Sequence, residues 1–288
     1  NQVSDSILKI LYHLEEPIAH PVLGTTYFLA KTVREELKVV LIGEGSDELF
    51  AGYPHYRLFN RPYSFAPRSL LQKYFFKIAY LMPDAAEIKS LLQPEWLDQD
   101  LLGEVSHCYD RYFPNGFDGD AGLRFELETE LVGNQLIRID KLMMTHSVEA
   151  RVPFLDRKFV EFAYSIPYSL KNKNGIEKYI LRKAMEPLIN KEVVYRPKSG
   201  KKGTQALLNP LTYSCLLPSY QPLLTEKAIE RRGIFKGKLL AERLSPEGSW
   251  REKYDPIDSR KKTKFILAAI IFELWNQIFI DGINYDRN

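Results

Sequence analysis

Over most of this 288-residue chain the apolar positions recur at helical spacing, and one stretch breaks the habit. Ile7, Leu8, Ile10, Leu11 and Leu14 mark a first helix that ends before the breaker Pro17, and a second helix is expected over about Thr25 to Leu37. Next comes Val39-Val40-Leu41-Ile42, a continuous and mostly β-branched run, which reads as a strand buried on both faces of a parallel sheet. After Tyr53 nearly every segment has helical period. From Arg57 to Asp120 the chain is aromatic and broken by Pro62, Pro67, Pro83, Pro94 and Pro114, a helical insertion in which Phe75, Phe76, Tyr80 and Trp96 are core candidates. Leu123 to Ile139 predicts one long amphipathic helix. Val152 to Asp156 predicts an extended turn, because the residue before a proline avoids the α region, followed by a helix capped at Asp156. The last helix, about Lys262 to Phe279, presents Phe265, Leu267, Ile271 and Trp275 to a core, and 281–288 reads as a tail.

This pattern predicts an α/β fold that is predominantly helical. Residues 1–56 form a partial nucleotide-binding layer, an incomplete doubly wound parallel sheet, and residues 57–288 a large helical remainder packed with it as one unit. The sheet needs more parallel strands than the chain offers, and they are expected before Asn1.

Charge narrows the partners only a little. Forty basic against thirty-seven acidic residues leave a net charge of +3, without the concentrated basic field that nucleic acid would require. No apolar run is long enough for a bilayer: Phe265 to Phe272 is too short and is followed by Glu273. Cys108 and Cys215 have neither CxxC nor metal spacing, so they are read as reduced thiols of a cytoplasmic protein.

Candidate chemistry sits in three stretches. The first, KVVLIGEGSDELFAGYPHYR from Lys38 to Arg57, is strand, glycine turn and helix. Ligands of open α/β sheets bind at the carboxyl ends of strands, and here that rim carries Glu44, Asp47 and Glu48, with Ser46 as the expected helix cap. Adjacent carboxylates suit a hard cation such as Mg²⁺. The second, IRIDKLMMTHSVEARVPFLD from Ile137 to Asp156, mixes Arg138, Asp140, Lys141, Glu149, Arg151 and Asp156 with apolar residues, which predicts an internal ion network. The third, Glu177 to Gly203, places Lys178, Arg182 and Lys183 on a helix and follows it with a basic loop, Arg196, Lys198, Lys201 and Lys202. Opposite an acidic rim, these cations would make a polyphosphate clamp. His55 and His107 have no partner legible in the sequence.

Taken in this order, the stretches resemble the C-terminal synthetase domain of the glutamine-dependent asparagine synthetase family. The family's SGEGSDE-F-GGY is matched by Ile42 to Tyr53, its DK-x-x-M-x-x-x-x-E-x-RVPFLD by Asp140 to Asp156, its EK-x-x-LR by Glu177 to Arg182, and its R-x-K-x-G by Arg196 to Gly200. The resemblance implies an adenine nucleotide alpha hydrolase-like sheet and an ATP- and Mg²⁺-dependent ligase that makes asparagine from aspartate through β-aspartyl-AMP, with ammonia from glutamine. It further implies Glu44 and Lys178 as catalytic, Gly43, Asp47 and Arg196 as cofactor-binding, and Asp47 as the metal ligand. The family's SGGxDS phosphate loop and N-terminal cysteine are absent from the sequence, Ile42 replaces a serine, and Lys201 stands where an aromatic is common. The expected partner is therefore an N-terminal glutaminase and phosphate-loop part, in the same longer chain or a separate subunit, without which the chain would be inactive; a homo-oligomer is allowed. β-Lactam synthetases and lasso-peptide cyclases share the scaffold, and a non-catalytic relic serving as an interaction subunit is the other alternative.

Overall fold

The computed structural model describes residues 2–60, 85–97, 111–114, 118–196, 219–245 and 256–283. They fall into two compact units that interleave along the chain, one built from 1–32, 80–102 and 200–288, the other from 33–79 and 103–199. Among the described residues no helix is long and apolar enough to cross a membrane. Phe75, Phe76, Tyr80, His107, both cysteines, Lys198, Lys201 and Lys202 lie outside the described residues.

The first unit is helical. Helix Gln2–Leu14 buries Ile7, Ile10, Leu11 and Leu14, the stripe its spacing predicts. It packs with helix Pro256–Phe279, whose Ile266, Ile270, Ile271, Leu274 and Ile278 are buried. Trp275 Nε1 donates to Glu15 O at 2.9 Å and Tyr12 stacks on Phe279, so the two helices are tied at one end by polar and aromatic contacts together. Helix Leu23–Val33 starts and stops earlier than its pattern suggested. Residues 91–93 are stitched to 234–236 by Gln93 N–H to Ile234 O and Lys236 N–H to Leu91 O, and the half-buried Trp96 donates to Gly233 O.

The second unit holds the sheet. Strand β1, Val39–Leu41, lies parallel to β2, Glu149–Arg151, with Val40 opposite Ala150. The parallel pairing was expected, but its partner was not, because three residues with a charge at each end carry no strand signal. Nor is β1 buried on both faces: Leu41 is 73% and Val39 39% exposed, on one face of a sheet that has two strands among the described residues. The expected long helix is present as Gly119–Glu126, a π-helical stretch Leu127–Leu136 and Ile137–Met144. Helix Arg157–Ser165 is capped as expected, Asp156 Oδ1 accepting from Phe159 N–H. Around these elements Leu49 and Phe50 of helix Ser46–Phe50 form one apolar cluster with Ala163, and Ala51, just past that helix, forms another with Tyr56 and Leu123.

Most charges of the second stretch stay at the surface instead of forming an internal network. Asp140, Glu149, Arg151 and Asp156 are exposed, with Glu149 and Arg151 paired at the surface, and only Arg138 is buried. Each exposed charge keeps its water, and the cost of burial is avoided.

Candidate functional site

At the carboxyl end of β1 the chain turns through Gly43-Glu44-Gly45. Ile42 N–H still bonds Arg151 O, so the turn starts directly from the sheet. Gly45 has φ 86°, and a Cβ there would stand 2.3 Å from Leu155 Cδ2, so both the backbone and the close approach require glycine. Gly45, not Ser46, is the N-cap of helix Ser46–Phe50. Ser46 instead donates its hydroxyl to Gly43 O and accepts from Lys178 Nζ at 2.8 Å.

Asp47 and Lys178 meet. Nζ lies 3.0 Å from Asp47 Oδ1, and both side chains are about one-fifth exposed, at 21% and 22%. Lys178 is set by its backbone as well: its N–H bonds Phe50 O, and it caps helix Tyr179–Met185 in the left-handed region with φ 54° instead of lying on the helix. Gly52 makes the meeting possible. A Cβ on it would fall 1.9 Å from Asp47 Oδ1 and 2.3 Å from Lys178 Cε.

The rim has two acids, not three. Glu44 and Asp47 are half-buried, whereas Glu48 is 1% exposed and turned inward. Its Oε1 accepts from Tyr53 Oη at 2.6 Å and from Gln135 Nε2 at 3.1 Å, while Oε2 has no partner among the described residues. Burial pushes the Glu48 carboxyl up to about 7, against the Tyr53 hydrogen bond and with help from the charges of Asp47 and Glu126. Burial and the neighbouring Glu48 likewise push Tyr53 far up. Behind them His55 Nε2 lies 2.7 Å from Oε1 of the buried Glu126, a partner 71 residues away that local sequence could not reveal. Arg138, 4% exposed, has its guanidinium pulled down by burial and held up by the charges of Glu44 and Glu130.

Beyond Lys178 opens a cleft of about 360 Å³. Its walls are Leu181, Met185, Ile189 and Val193, with Glu177, Lys178, Arg182 and Arg196 among its polar lining. Arg182 lines the cleft and is also braced by the backbone: Nε donates to Glu177 O and Nη1 to Val194 O, fastening the Lys178 turn to helix Lys191–Val194 and hence to Arg196. Lys183 pairs with Glu186 at the surface.

The asparagine synthase family profile matches residues 1–277. The chain belongs to the asparagine synthase family. It is similar to asparagine synthetase [glutamine-hydrolyzing] 1 of Bacillus subtilis, 34% identical over 220 residues, which cover 67% of this chain and 35% of that protein. A putative asparagine synthetase [glutamine-hydrolyzing] of Mycobacterium bovis is 33% identical over 226 residues, 67% of this chain and 34% of the relative. The human asparagine synthetase [glutamine-hydrolyzing] is 30% identical over 179 residues, 60% of this chain and 22% of the relative. The chain thus spans about a third of the length of the first two curated relatives. For this asparagine synthase-family chain, the helix-rich α/β fold with a small parallel sheet fits the family.

Of the family-motif residues singled out in the sequence, the structure joins Asp47 to Lys178, keeps Glu44 on the same turn, and puts Arg196 in the cleft with Lys178. Gly43 is exposed, with open space at its Cβ position. Gly52, Tyr53 and Gln135 were missed as parts of the site, and Ser46 was read only as a helix cap. The G-Y pair after the acids was a visible signal for Gly52 and Tyr53; Gln135 had none.

Among the described residues no group of three metal-ligating side chains is gathered. The oxygens gathered around Lys178 Nζ are the Asp47 carboxylate and the Ser46 hydroxyl. That set fits a hard cation that takes one carboxylate from the protein and completes its shell with phosphate oxygens and water, as Mg²⁺ does.

Proposed function

We propose that this chain is the adenylate-forming part of an asparagine synthetase, which joins ammonia to the side-chain carboxyl of aspartate at the expense of ATP. Support comes chiefly from one observation: the Asp47–Lys178 contact at the end of β1, with Glu44 three residues before Asp47. In the first step an aspartate carboxylate oxygen attacks the α-phosphorus of ATP, the bond to the β-phosphate oxygen breaks, and pyrophosphate leaves from β-aspartyl-AMP. Lys178, a compact ammonium, steadies the charge that grows on the leaving pyrophosphate. Asp47 would hold Mg²⁺, which when bound neutralises phosphate charge. In the second step ammonia attacks the acyl carbon, AMP departs, and Glu44 accepts the proton released by the nitrogen. Gly43 leaves the backbone open to the nucleotide, and Arg196 closes the cationic side.

The exposed apolar side chains of β1, Val39 and Leu41, share one face of the sheet and support a further layer covering it, which fits a sheet completed by a glutaminase-bearing N-terminal part that also brings the phosphate loop. A larger, more apolar substrate, as for β-lactam synthetase-like or lasso-peptide cyclase-like enzymes, is the alternative favoured by the aliphatic walls of the cleft beside Lys178. Comparing acceptor amines and acyl substrates by product mass decides between them.

Two substitutions test the division of labour in the chain complemented with the N-terminal part of a relative. Asp47→Asn should weaken pyrophosphate release and be partly rescued by raised Mg²⁺, because the amide keeps an oxygen but no charge. Glu44→Gln should retain more pyrophosphate release than asparagine formation. Equal loss of both steps in both variants, with no response to Mg²⁺, would contradict the assignment.

A further inference from the structure

The helix that passes beneath the acidic rim is wound too widely for its sequence pattern, and the widening has a consequence. Glu126 and Gln135 are nine positions apart. At 3.6 residues per turn, nine residues make about two and a half turns and would put the two side chains on opposite faces. Through Leu127–Leu136 the turns are of the wide i→i+5 kind, so the same nine residues make roughly two turns. Both side chains accordingly reach the segment 48–55: Glu126 touches His55, and Gln135 touches Glu48 and Tyr53. Arg138, one turn beyond Gln135, is buried; its Nη1 donates to Asn134 Oδ1, Asn134 is held in turn by Glu130 Oε1, and the charge of Glu44 acts on the guanidinium. Such π-helical stretches are rare and concentrate at functional sites, where a less favourable winding is kept for what it places.

We propose that the wide stretch Leu127–Leu136 is the device that aligns the acidic rim, delivering Gln135 and Arg138 beneath it as positioning residues. Gln135 acts on Asp47 through the adjacent Glu48. Arg138, a buried cation braced by Asn134 one turn beyond Gln135, supplies the positive charge that holds the Glu44 carboxylate at the turn. The inference rests on the amide-forming function proposed above, and it assigns to this helix a role in each half of the reaction.

The two residues should fail differently. In the complemented chain, Gln135→Leu should raise both the Kd for magnesium pyrophosphate measured by calorimetry and the Mg²⁺ needed for half-maximal pyrophosphate release by about ten-fold, the usual effect of losing a residue that orients a metal ligand. Arg138→Met should leave that binding within two-fold of the parent, yet lower asparagine formation relative to pyrophosphate release by about ten-fold, with Arg138→Lys recovering part of it. Deleting Gly133 would swing Gln135 and Arg138 by about 100° and should produce both defects, while Gly133→Ala, at an exposed position with open space, should produce neither. Thermal unfolding of each variant separates these effects from lost stability, and the point variants decide the matter if the deletion fails to fold. Variants whose two readouts fall together in proportion to Tm, or do not change, overturn the positioning role alone. A parent chain that neither binds magnesium pyrophosphate nor releases it overturns the proposed function, and the inference with it.

Discussion

Glu273 in the helical unit and Glu48 in the sheet-bearing unit are both buried, and the two are treated in opposite ways. In the helical unit Glu273 meets full compensation: Arg232 grips both its oxygens at 2.7 and 2.8 Å, Arg231 and Gln277 add a contact each, and Arg232 continues to Asp281. Burial pushes the Glu273 carboxyl up, but these donors hold it below the ordinary carboxylate value. In the sheet-bearing unit Glu48 receives only neutral donors, Tyr53 and Gln135, and keeps one oxygen without a partner among the described residues. The first arrangement is what an acid needs to strengthen a fold. The second holds an acid in place under the rim at some expense in stability, which is the pattern of a site whose geometry is kept for another reason.

The contrast can be broken most forcefully at Gly52. Its Cβ would displace both Asp47 Oδ1 and Lys178 Cε, which are side-chain ends that can move, so Gly52→Ala should fold and yet lose about 10²-fold or more in pyrophosphate release. Retained activity would mean that the Asp47–Lys178 contact is dispensable.

The two acids themselves give a test with opposite signs. Glu48 has a folded-state pKa of about 7 against an ordinary 4.5, so the stability it contributes is present below about pH 4.5 and lost as pH rises through about 7. Glu48→Gln should therefore be more stable than the parent at pH 8, by on the order of 3 kcal/mol at most, with the gap closing toward pH 4.5. Glu273 is lowered, so its contribution is present above the ordinary carboxylate range and lost as pH falls through the folded value. Glu273→Gln should be less stable at pH 7 and converge on the parent in acid. Urea titrations at several pH values, in chelator, show whether the signs differ; equal signs would erase the contrast.

The smallest effect is expected at Gly43, where an added methyl meets open space in the chain. Gly43→Ala should change unfolding free energy by less than about 1 kcal/mol, while the ATP concentration for half-maximal activity rises several-fold if the backbone there lies against the nucleotide. No change in either would remove Gly43 from the site.

What could be read from the sequence was set by periodicity and local chemistry. The β-branched run at Val39, the glycines around Glu44 and the helix-spaced leucines of the first helix all act within one turn or one strand, and they appeared where expected. The inward turn of Glu48 was not legible, because three neighbouring acids look alike until the rotation of a five-residue helix decides which faces water. The pairing of β1 with residues 149–151 spans more than a hundred positions, and the His55–Glu126 contact spans 71. The wide winding of Leu127–Leu136 leaves the apolar spacing readable as an ordinary helix, so the sequence alone does not show that Gln135 reaches Glu48 beneath the rim.

The central claim, that an Asp47–Lys178 pair at the end of β1 serves adenylation, is tested most directly by ATP–pyrophosphate exchange. In the chain complemented with the N-terminal part of its Bacillus subtilis relative, exchange should require aspartate and should fall by about 10²-fold or more in Lys178→Ala, with the thermal unfolding of that variant close to the parent's. Exchange in Lys178→Ala within a few-fold of the parent would contradict the claim and leave Lys178 as a residue that merely braces the turn at Phe50.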